Sequence, residues 1–269
     1  MSTINTNLAS LNAQRNLTTS SKDLATSLQR LSSGLRVNSA KDDAAGLSIA
    51  TKMDSQIRGM SQAVRNANDG VSMVQTADGA LANMADALQR MRELAVQGAN
   101  GTNGTAEWTN INTEVQALNT EIARIGTDTK FNGTAILGSG AKDIQVGADA
   151  GQKITVTFGA TATFAGLTVA PITDAATAST AITQIEGALT ALNTERASLG
   201  TAQNRMGYAI SNLQSSVENQ SAAKSRIMDT DFAAETGKLT RSQILQQAGT
   251  AMLAQANSAP NGVMALLRG

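Results

Sequence analysis

The chain has 269 residues, no cysteine and no histidine, and its 21 basic residues balance its 21 acidic residues. It therefore has no disulfides, thiol nucleophiles, imidazole bases or usual zinc ligands. No dense basic run is present, so binding to nucleic acid through a basic patch is not expected. Aromatic residues make up only 2% of the chain, which favours thin helical bundles over a thick globular core.

The sequence shows neither a membrane-spanning stretch nor a cleavable signal peptide. No stretch approaches 18 uninterrupted apolar residues, so we expect no membrane span. The N-terminal stretch lacks the charged and then apolar layout of a cleavable signal peptide. These two features favour the cytoplasm, although they do not detect export by a route that uses no such signal.

Residues 1–35 carry a narrow leucine stripe among serine, threonine, asparagine and glutamine. The stripe has coiled-coil spacing and consists of Leu17, Leu24, Leu28, Leu31 and Leu35. A helix this polar is marginal when it stands alone. We expect it to be disordered in the free monomer and to become ordered when its stripe meets a partner.

A connector follows between Gly34 and Gly46, where the apolar register fails and turn-forming residues accumulate. Asp42 and Asp43 lie where they can cap the start of the next helix. Adjacent aspartates also suit a metal or acid–base site. A solvated cap, or an ion pair with Lys41 or a neighbouring chain, is the favoured interpretation.

Two long runs of heptads predict helical rods that pack along each other. The first runs from 53 to 95, with Asp78 and Arg92 among its seam positions. The second runs from 182 to 217, and its polar seam positions are Arg196 and Gln203. Polar residues in such a seam commonly fix the register of the two helices at some cost in stability.

Between the rods the pattern changes. A helix over 108–125 is expected to fold back antiparallel on the first rod. Period-two alternation at 144–146 and 154–158, around a glycine-rich loop, predicts a small β-hairpin. The alanine- and threonine-rich tract 160–180 is predicted to be a surface segment.

The last segment, 233–269, carries a second weak apolar seam. Its seam residues include Leu245, Met252, Leu253, Leu266 and Leu267. Pro260 and Gly262 are expected to interrupt the helix near its end.

These elements predict a mainly α fold: long antiparallel coiled-coil rods, a small central β-region and paired terminal helices. The five segments that we delimit are 1–40 (N-terminal helix), 41–128 (N-terminal rod helices), 129–180 (β-hairpin and surface segment), 181–230 (C-terminal rod helix) and 231–269 (C-terminal helix). The two terminal helices are the expected polymerisation seams.

Motifs along nearly the whole chain are similar to those of one protein family. They are LSSGLRVNSAKDDAAGLSIA at 31–50, QRMRELAVQ at 89–97, FNG at 131–133, IQVGADAGQ at 144–152, NRMGYAISNL at 204–213, SRIMDTDFAAET at 225–236, QILQQAGTAMLAQAN at 243–257 and a terminal LLRG. Taken in order, they make the chain resemble bacterial flagellin, the filament subunit of the flagellum. The chain is short for that family, so large outer domains are expected to be absent.

The resemblance implies a structural role in motility and no cofactor. It implies that the subunit leaves the cell largely unfolded through the flagellar type III export apparatus, and that it lies outside the cell in the filament. In that filament the paired terminal helices would line an inner tube and the rods an outer tube. The implied partners are other copies of the chain, an export chaperone, the export apparatus, and the filament cap and hook-junction proteins.

The resemblance also implies recognition by Toll-like receptor 5. The family's receptor motif matches the stretch 89–97, with a glutamate on the returning helix. The matching positions here are Arg90, Leu94 and Glu114. The same surface is expected to pack against a neighbouring subunit, which is a competing reason for its presence.

Three alternatives are considered. A hook–filament junction protein shares the terminal seams, although the motifs at 89–97 and 144–152 favour flagellin. A flagellin with a metallopeptidase insertion is excluded, because an HExxH zinc site needs histidine. A cytoplasmic coiled-coil scaffold is the third alternative.

Overall fold

We describe a computed structural model of the chain. It describes residues 6–159 and 169–266, with side chains as far as Ser258. The helices are α1 (Leu8–Ser33), α2 (Ala44–Gly98), α3 (Thr105–Asp128), α4 (Ala175–Met228) and α5 (Phe232–Leu266). The strands are β1 (Lys130–Phe131), β2 (Thr134–Ala135), β3 (Gly140–Gln145) and β4 (Lys153–Phe158). The fold is mainly α with small antiparallel strand pairs, as the sequence predicts.

The chain divides into two units. The terminal unit comprises Met1–Ser55 and Asn219–Gly269, and the central unit comprises Gln56–Glu218. The terminal unit takes in the predicted segments 1–40 and 231–269, together with the adjoining ends of α2 and α4. The two units are described separately below.

In the terminal unit, α1 and α5 pack along each other, as the predicted pairing of terminal helices requires. Helix α1 ends at Gly34, which adopts a left-handed conformation with φ of 71° and donates its amide hydrogen to the carbonyl of Arg30. Leu35 therefore lies beyond the helix whose stripe it was predicted to extend, and forms a β-bridge with Asp229 instead. The left-handed turn at the glycine is what ends the stripe.

The connector before α2 is held by hydrogen bonds to two adjacent aspartates. A carboxylate oxygen of Asp43 accepts from the amide of Gly46 at 2.8 Å, and the Asp43 carbonyl accepts from Leu47. Asp42 accepts from the amide and hydroxyl of Ser39, both at 2.9 Å. Asp43 is confirmed as a cap of α2. Asp42 instead closes a turn within the connector, and the hydrogen bonds from Ser39 lower its pKa.

In the central unit, α2, α3 and α4 enclose a large apolar core, and a smaller apolar cluster joins Met60 and Ala63 of α2 to Leu213 of α4. The core takes residues from all three helices and from the second hairpin; its fully buried large side chains include Leu81, Met84, Leu88, Met91, Ile122, Phe158, Ile185, Leu192, Leu199 and Met206. The three helices repeat apolar residues on one face, and each buries that face against the other two. Both predicted rods are confirmed, and both helices are longer than predicted.

Polar positions of the two rod seams pair with residues of the opposite rod. Arg196 Nε donates to Asp78 Oδ1 at 2.8 Å, and Arg92 reaches Glu186 at 2.9 Å. The residue number falls on α4 as it rises on α2, so these helices run antiparallel. The pairs are specific to this register, because a shift of one turn would separate both.

The central strands form two antiparallel hairpins. Asn132 and Gly133 make the two-residue turn between β1 and β2, both with positive φ. Strands β3 and β4 pair from Gly140–Phe158 to Gln145–Lys153. Strand β4 alternates buried and exposed residues and turns its buried face to the core, which confirms the predicted hairpin.

Two predictions are corrected by the structure. Pro260 and Gly262 do not interrupt the last helix, because α5 runs through both to Leu266. A proline withdraws only one amide donor, and the hydrogen bonds of adjacent turns maintain the helix.

The second corrected prediction is that the tract 160–180 is a surface segment. Its residues 160–168 lie outside the described residues, but Val169, Ile172 and Ala178 beyond them are buried. Gly98 of α2 lets Ile172 and Ala178 approach closely, since a Cβ at position 98 would lie 3.1 Å from the isoleucine. The hydrophobic pattern of the sequence does not predict this contact, because Gly98 and Ala178 are small residues.

Candidate functional site

The interface between α1 and α5 is built from small and polar side chains. Its buried polar residues are Ser10, Ser20, Ser27, Glu235 and Ser242. The Ser20 hydroxyl donates to the carbonyl of Ser242 at 3.0 Å, and the Ser10 hydroxyl donates to Asn257 at 2.8 Å. These side chains let the helices approach and satisfy each other's hydrogen-bonding groups.

Glu235 is the charged group of this interface and is only 4% exposed. It accepts from the Ser27 hydroxyl at 2.7 Å and from Lys238 at 3.0 Å, with Arg30 at 4.0 Å. Burial opposes its ionisation, but the hydrogen bonds from Ser27 and Lys238 and the nearby positive charges outweigh it. Together they lower the pKa of Glu235 below its ordinary value.

The leucine seams face away from this interface or lie at its edge. Leu28, Leu245 and Met252 are 50%, 53% and 65% exposed. Half-buried members of the predicted seams are Leu24, Leu31, Leu35 and Leu253. Leu266 and Leu267 lie outside the part of the chain whose side chains are described. The buried serines and Glu235 do not stand out in the sequence, because they do not belong to the spacing of the apolar residues.

A groove runs between α1 and α5 on their exposed side. It has a volume of about 600 Å³. Its α5 wall is entirely apolar and consists of Leu245, Ala248, Gly249 and Met252. Gly249 lets α1 come close, because a Cβ there would lie 3.3 Å from the side chain of Leu17. The α1 wall mixes apolar residues with polar ones, which include Asn12, Asn16 and Asp23. An exposed groove with one apolar wall marks an interaction surface.

A second surface lies in the central unit, where α2 and α3 meet. Arg90 donates to Glu114 at 3.0 Å and to Glu93 at 3.1 Å, and all three side chains are exposed. The hydrogen bonds to Glu93 and Glu114 raise the pKa of Arg90, so the guanidinium stays charged. Leu94 is only 4% exposed and packs in the core beneath this cluster. The structure thus brings Arg90 and Glu114 into contact.

A metal site requires clustered ligands, and a membrane-spanning helix requires a long apolar stretch. Within residues 6–159 and 169–266, no group of three or more carboxylates is arranged to hold a metal ion. None of the helices in the same ranges is long and apolar enough to cross a bilayer.

The fold defines a mainly helical protein in which α2 and α4 are long antiparallel helices and the paired helices α1 and α5 expose apolar residues. Residues 4–143 match the family described as "Bacterial flagellin N-terminal helical region", and residues 182–267 match "Bacterial flagellin C-terminal helical region". The chain belongs to the bacterial flagellin family. As such it is a structural subunit of the flagellar filament, and it polymerises.

Flagellins of other bacteria are similar to this chain over nearly its whole length. A flagellin of Halalkalibacterium halodurans is 45% identical over 270 residues, covering 98% of this chain and 99% of that protein. Flagellin B of Vibrio cholerae is 34% identical over an alignment of 371 positions, covering 98% and 99% of the two chains. That alignment is longer than the 269 residues here, so this chain is a short form.

Solved structures share the architecture. A Bacillus cereus flagellin matches with a TM-score of 0.50 and 32% identity, over 60% of this chain and 94% of that one. A putative flagellar hook-associated protein of Vibrio parahaemolyticus matches with a TM-score of 0.58 over 70% of this chain and 100% of that one. Its identity is 12%, so that likeness concerns the fold alone.

Proposed function

We propose that the subunits join through the exposed apolar faces of α1 and α5, in head-to-tail contacts that do not close and so generate a helical filament. The observation that carries this proposal is that the α1–α5 interface buries polar side chains and leaves apolar ones exposed. The pair buries serines and Glu235 and leaves Leu28, Leu245 and Met252 exposed. Burying those apolar faces between copies supplies about 25 cal/mol per Å², which offsets the ordering of two weak helices.

Charge substitutions on those faces test the proposal. Leu28→Glu and Leu245→Glu place a carboxylate on the surface that neighbouring copies would cover. We expect the critical concentration for polymerisation to rise at least about tenfold for each, because a buried unpaired charge is costly. Electron microscopy and sedimentation of purified protein provide the measurement.

The matched controls are Gln29→Glu and Gln247→Glu, which add the same charge at exposed neighbouring positions of the same helices. They are expected to polymerise close to the unsubstituted chain. Normal filaments from Leu28→Glu and Leu245→Glu would refute assembly through these faces.

Export through the flagellar type III apparatus, and a final position outside the cell, belong to the same proposal. The lack of cysteine supports it, since no crosslink can form within a chain that passes unfolded through a narrow channel. The proposed partners on this route are an export chaperone, the export apparatus, and the filament cap and hook-junction proteins. Detection of the chain in sheared extracellular filaments, and its loss in a strain without the export apparatus, test this part.

Recognition by Toll-like receptor 5 is a second proposed function. The exposed cluster of Arg90, Glu93 and Glu114 supports it, since it joins two helices into one charged surface. Leu94 is buried beneath the cluster, so its contribution would be to hold Arg90 in place. Direct contact through Leu94 would require α2 to repack.

A receptor-dependent reporter assay with monomeric protein tests this function. Arg90→Ala and Glu114→Ala are expected to lower the response about tenfold, since charged anchors commonly dominate such interfaces. Glu121→Ala is the control, because it breaks a similar exposed ion pair, with Arg124, further along α3. An unchanged response from Arg90→Ala and Glu114→Ala would exclude the site.

The hook–filament junction protein remains the alternative within the same architecture. A junction protein would give short caps, whereas a filament subunit gives long polymers. Electron microscopy of the purified chain separates the two outcomes.

A further inference from the structure

Met252 combines exposure with a position on the assembly groove. It is 65% exposed and lies on the apolar α5 wall, one turn from Ala248 and Gly249 and two turns from Leu245. A thioether at this point has full access to small dissolved molecules as long as the groove is uncovered.

The other methionines whose side chains the structure describes are better protected from solvent. Met60 and Met73 are 7% and 8% exposed, and Met84, Met91 and Met206 are fully buried. Met53 and Met228 are half-buried. Since oxidation of a methionine follows its exposure, Met252 is the first of these to react.

We propose that Met252 is an oxidation site that controls whether a free subunit can join a filament. A peroxide supplies the oxygen. The thioether sulfur attacks the hydroxyl oxygen of the peroxide, and an S–O bond forms as the O–O bond breaks. The proton of the transferred oxygen passes to the leaving oxygen, which becomes water or an alcohol. The sulfur is oxidised by two electrons and the peroxide is reduced by two.

The product changes the chemistry of the groove. A sulfoxide is polar and accepts hydrogen bonds, and its neighbours on the α5 wall, Leu245, Ala248 and Gly249, offer no side-chain donor. The side-chain donors of the groove, which include Asn12 and Asn16, lie on the opposite α1 wall. A neighbouring copy that covers Met252 would have to remove the water bound to the sulfoxide, and that removal is costly. Oxidation therefore favours the free subunit, and the polymer protects the thioether from oxidation.

This inference rests on the proposed assembly through α1 and α5, and it adds a chemical control of that same surface. It predicts that exposure to peroxide before assembly is harmful, whereas the same exposure after assembly is tolerated. Methionine sulfoxide reductases return the thioether, so the control is reversible.

The test uses the full chain and hydrogen peroxide. Monomer is treated with limiting peroxide, and peptide mass mapping follows each methionine over time. Met252 is expected to convert about tenfold faster than Met84 or Met91, since oxidation follows exposure. Equal rates at Met252 and Met84 would overturn the proposed site.

Assembly is then measured by sedimentation of seeded polymer. Conversion of Met252 is expected to raise the critical concentration about tenfold, as is Met252→Gln, because each buries a polar group. Met252→Leu removes the sulfur at nearly constant volume, and it is expected to assemble before and after peroxide. Met228→Leu is the control that retains the sensitive thioether.

The outcomes are distinguishable. If untreated chain fails to polymerise, the proposed function fails and this inference falls with it. If untreated chain polymerises and fully oxidised chain polymerises at the same concentration, only this inference is wrong. Loss of assembly by peroxide-treated Met252→Leu would place the sensitive group elsewhere and would also overturn it.

Discussion

At the level of single residues, Glu235 ties the pairing of α1 and α5 to its own charge. The pKa of Glu235 is lower in the paired helices than in the unfolded chain, because Ser27, Lys238 and Arg30 outweigh the effect of burial. Its stabilising contribution is therefore complete above its ordinary pKa, and is lost as the pH falls through the lowered value. The terminal pair should loosen in acid.

Glu235→Gln tests this expectation. The amide keeps a hydrogen bond with Ser27 but loses the charge that Lys238 and Arg30 face, so the pair should lose about 1–3 kcal/mol at neutral pH. Filament dissociation measured from about pH 7 to about pH 3 should depend less on pH in the variant. Glu218→Gln, at an exposed carboxylate of α4, should keep the full dependence. An unchanged acid profile in Glu235→Gln would contradict the assignment.

Single residues also show which contacts can be predicted from the sequence alone. Asp43 could be predicted as a cap and Asp42 as a turn residue, since both roles depend on neighbours three or four positions away. Glu235 and Ser27 lie 208 positions apart, and their contact depends on the register of two helices. No local pattern encodes that register, so the charged centre of the terminal interface could not be predicted.

At the level of elements, the polar seam residues show the same limit on what the sequence can predict. Heptad spacing predicts that Asp78 and Arg196 lie on facing helices and that such residues set register. It does not predict that they face each other, nor that Arg92 reaches Glu186 across the same pair. These pairs are half-exposed, so each adds at most about 1 kcal/mol, and their main effect is to disfavour shifted registers.

Gly59 of α2 allows the loop of the second hairpin to dock on the rod. A Cβ at position 59 would lie 3.0 Å from the Cβ of Ala148 and 3.3 Å from its Cα. The neighbour is backbone in a short loop between paired strands, so it has little freedom to move. We expect Gly59→Val to lower the free energy of unfolding by about 1–3 kcal/mol through overpacking.

Gly79→Val is the matched control on the same helix. A Cβ at position 79 would meet nothing within 4 Å, and valine is a slightly better helix former than glycine. The control should unfold at or slightly above the temperature of the unsubstituted chain in a circular dichroism melt. Equal melting of the two variants would show that the loop yields freely.

At the level of the whole molecule, the burial of apolar side chains differs between the two units. The fully buried large apolar side chains belong to the central unit. The terminal unit buries few apolar side chains, and its exposed ones gather on α1 and α5. A unit that lacks an apolar core of its own gains most of its order from partners.

Deletion of residues 1–35 or 233–269 should therefore leave a folded, soluble monomer. The apolar core formed by α2, α3, α4 and the second hairpin remains intact in either truncation, whereas one side of the terminal pair is lost. Circular dichroism should show a cooperative thermal transition, and sedimentation velocity should show a single species at concentrations where the full-length chain polymerises. Hydrogen exchange on the full-length monomer should in turn find α1 and α5 poorly protected until filaments form. Normal filaments from either truncation, or ends that are protected in a chain that stays monomeric at high concentration, would show that order at the termini does not come from neighbouring copies.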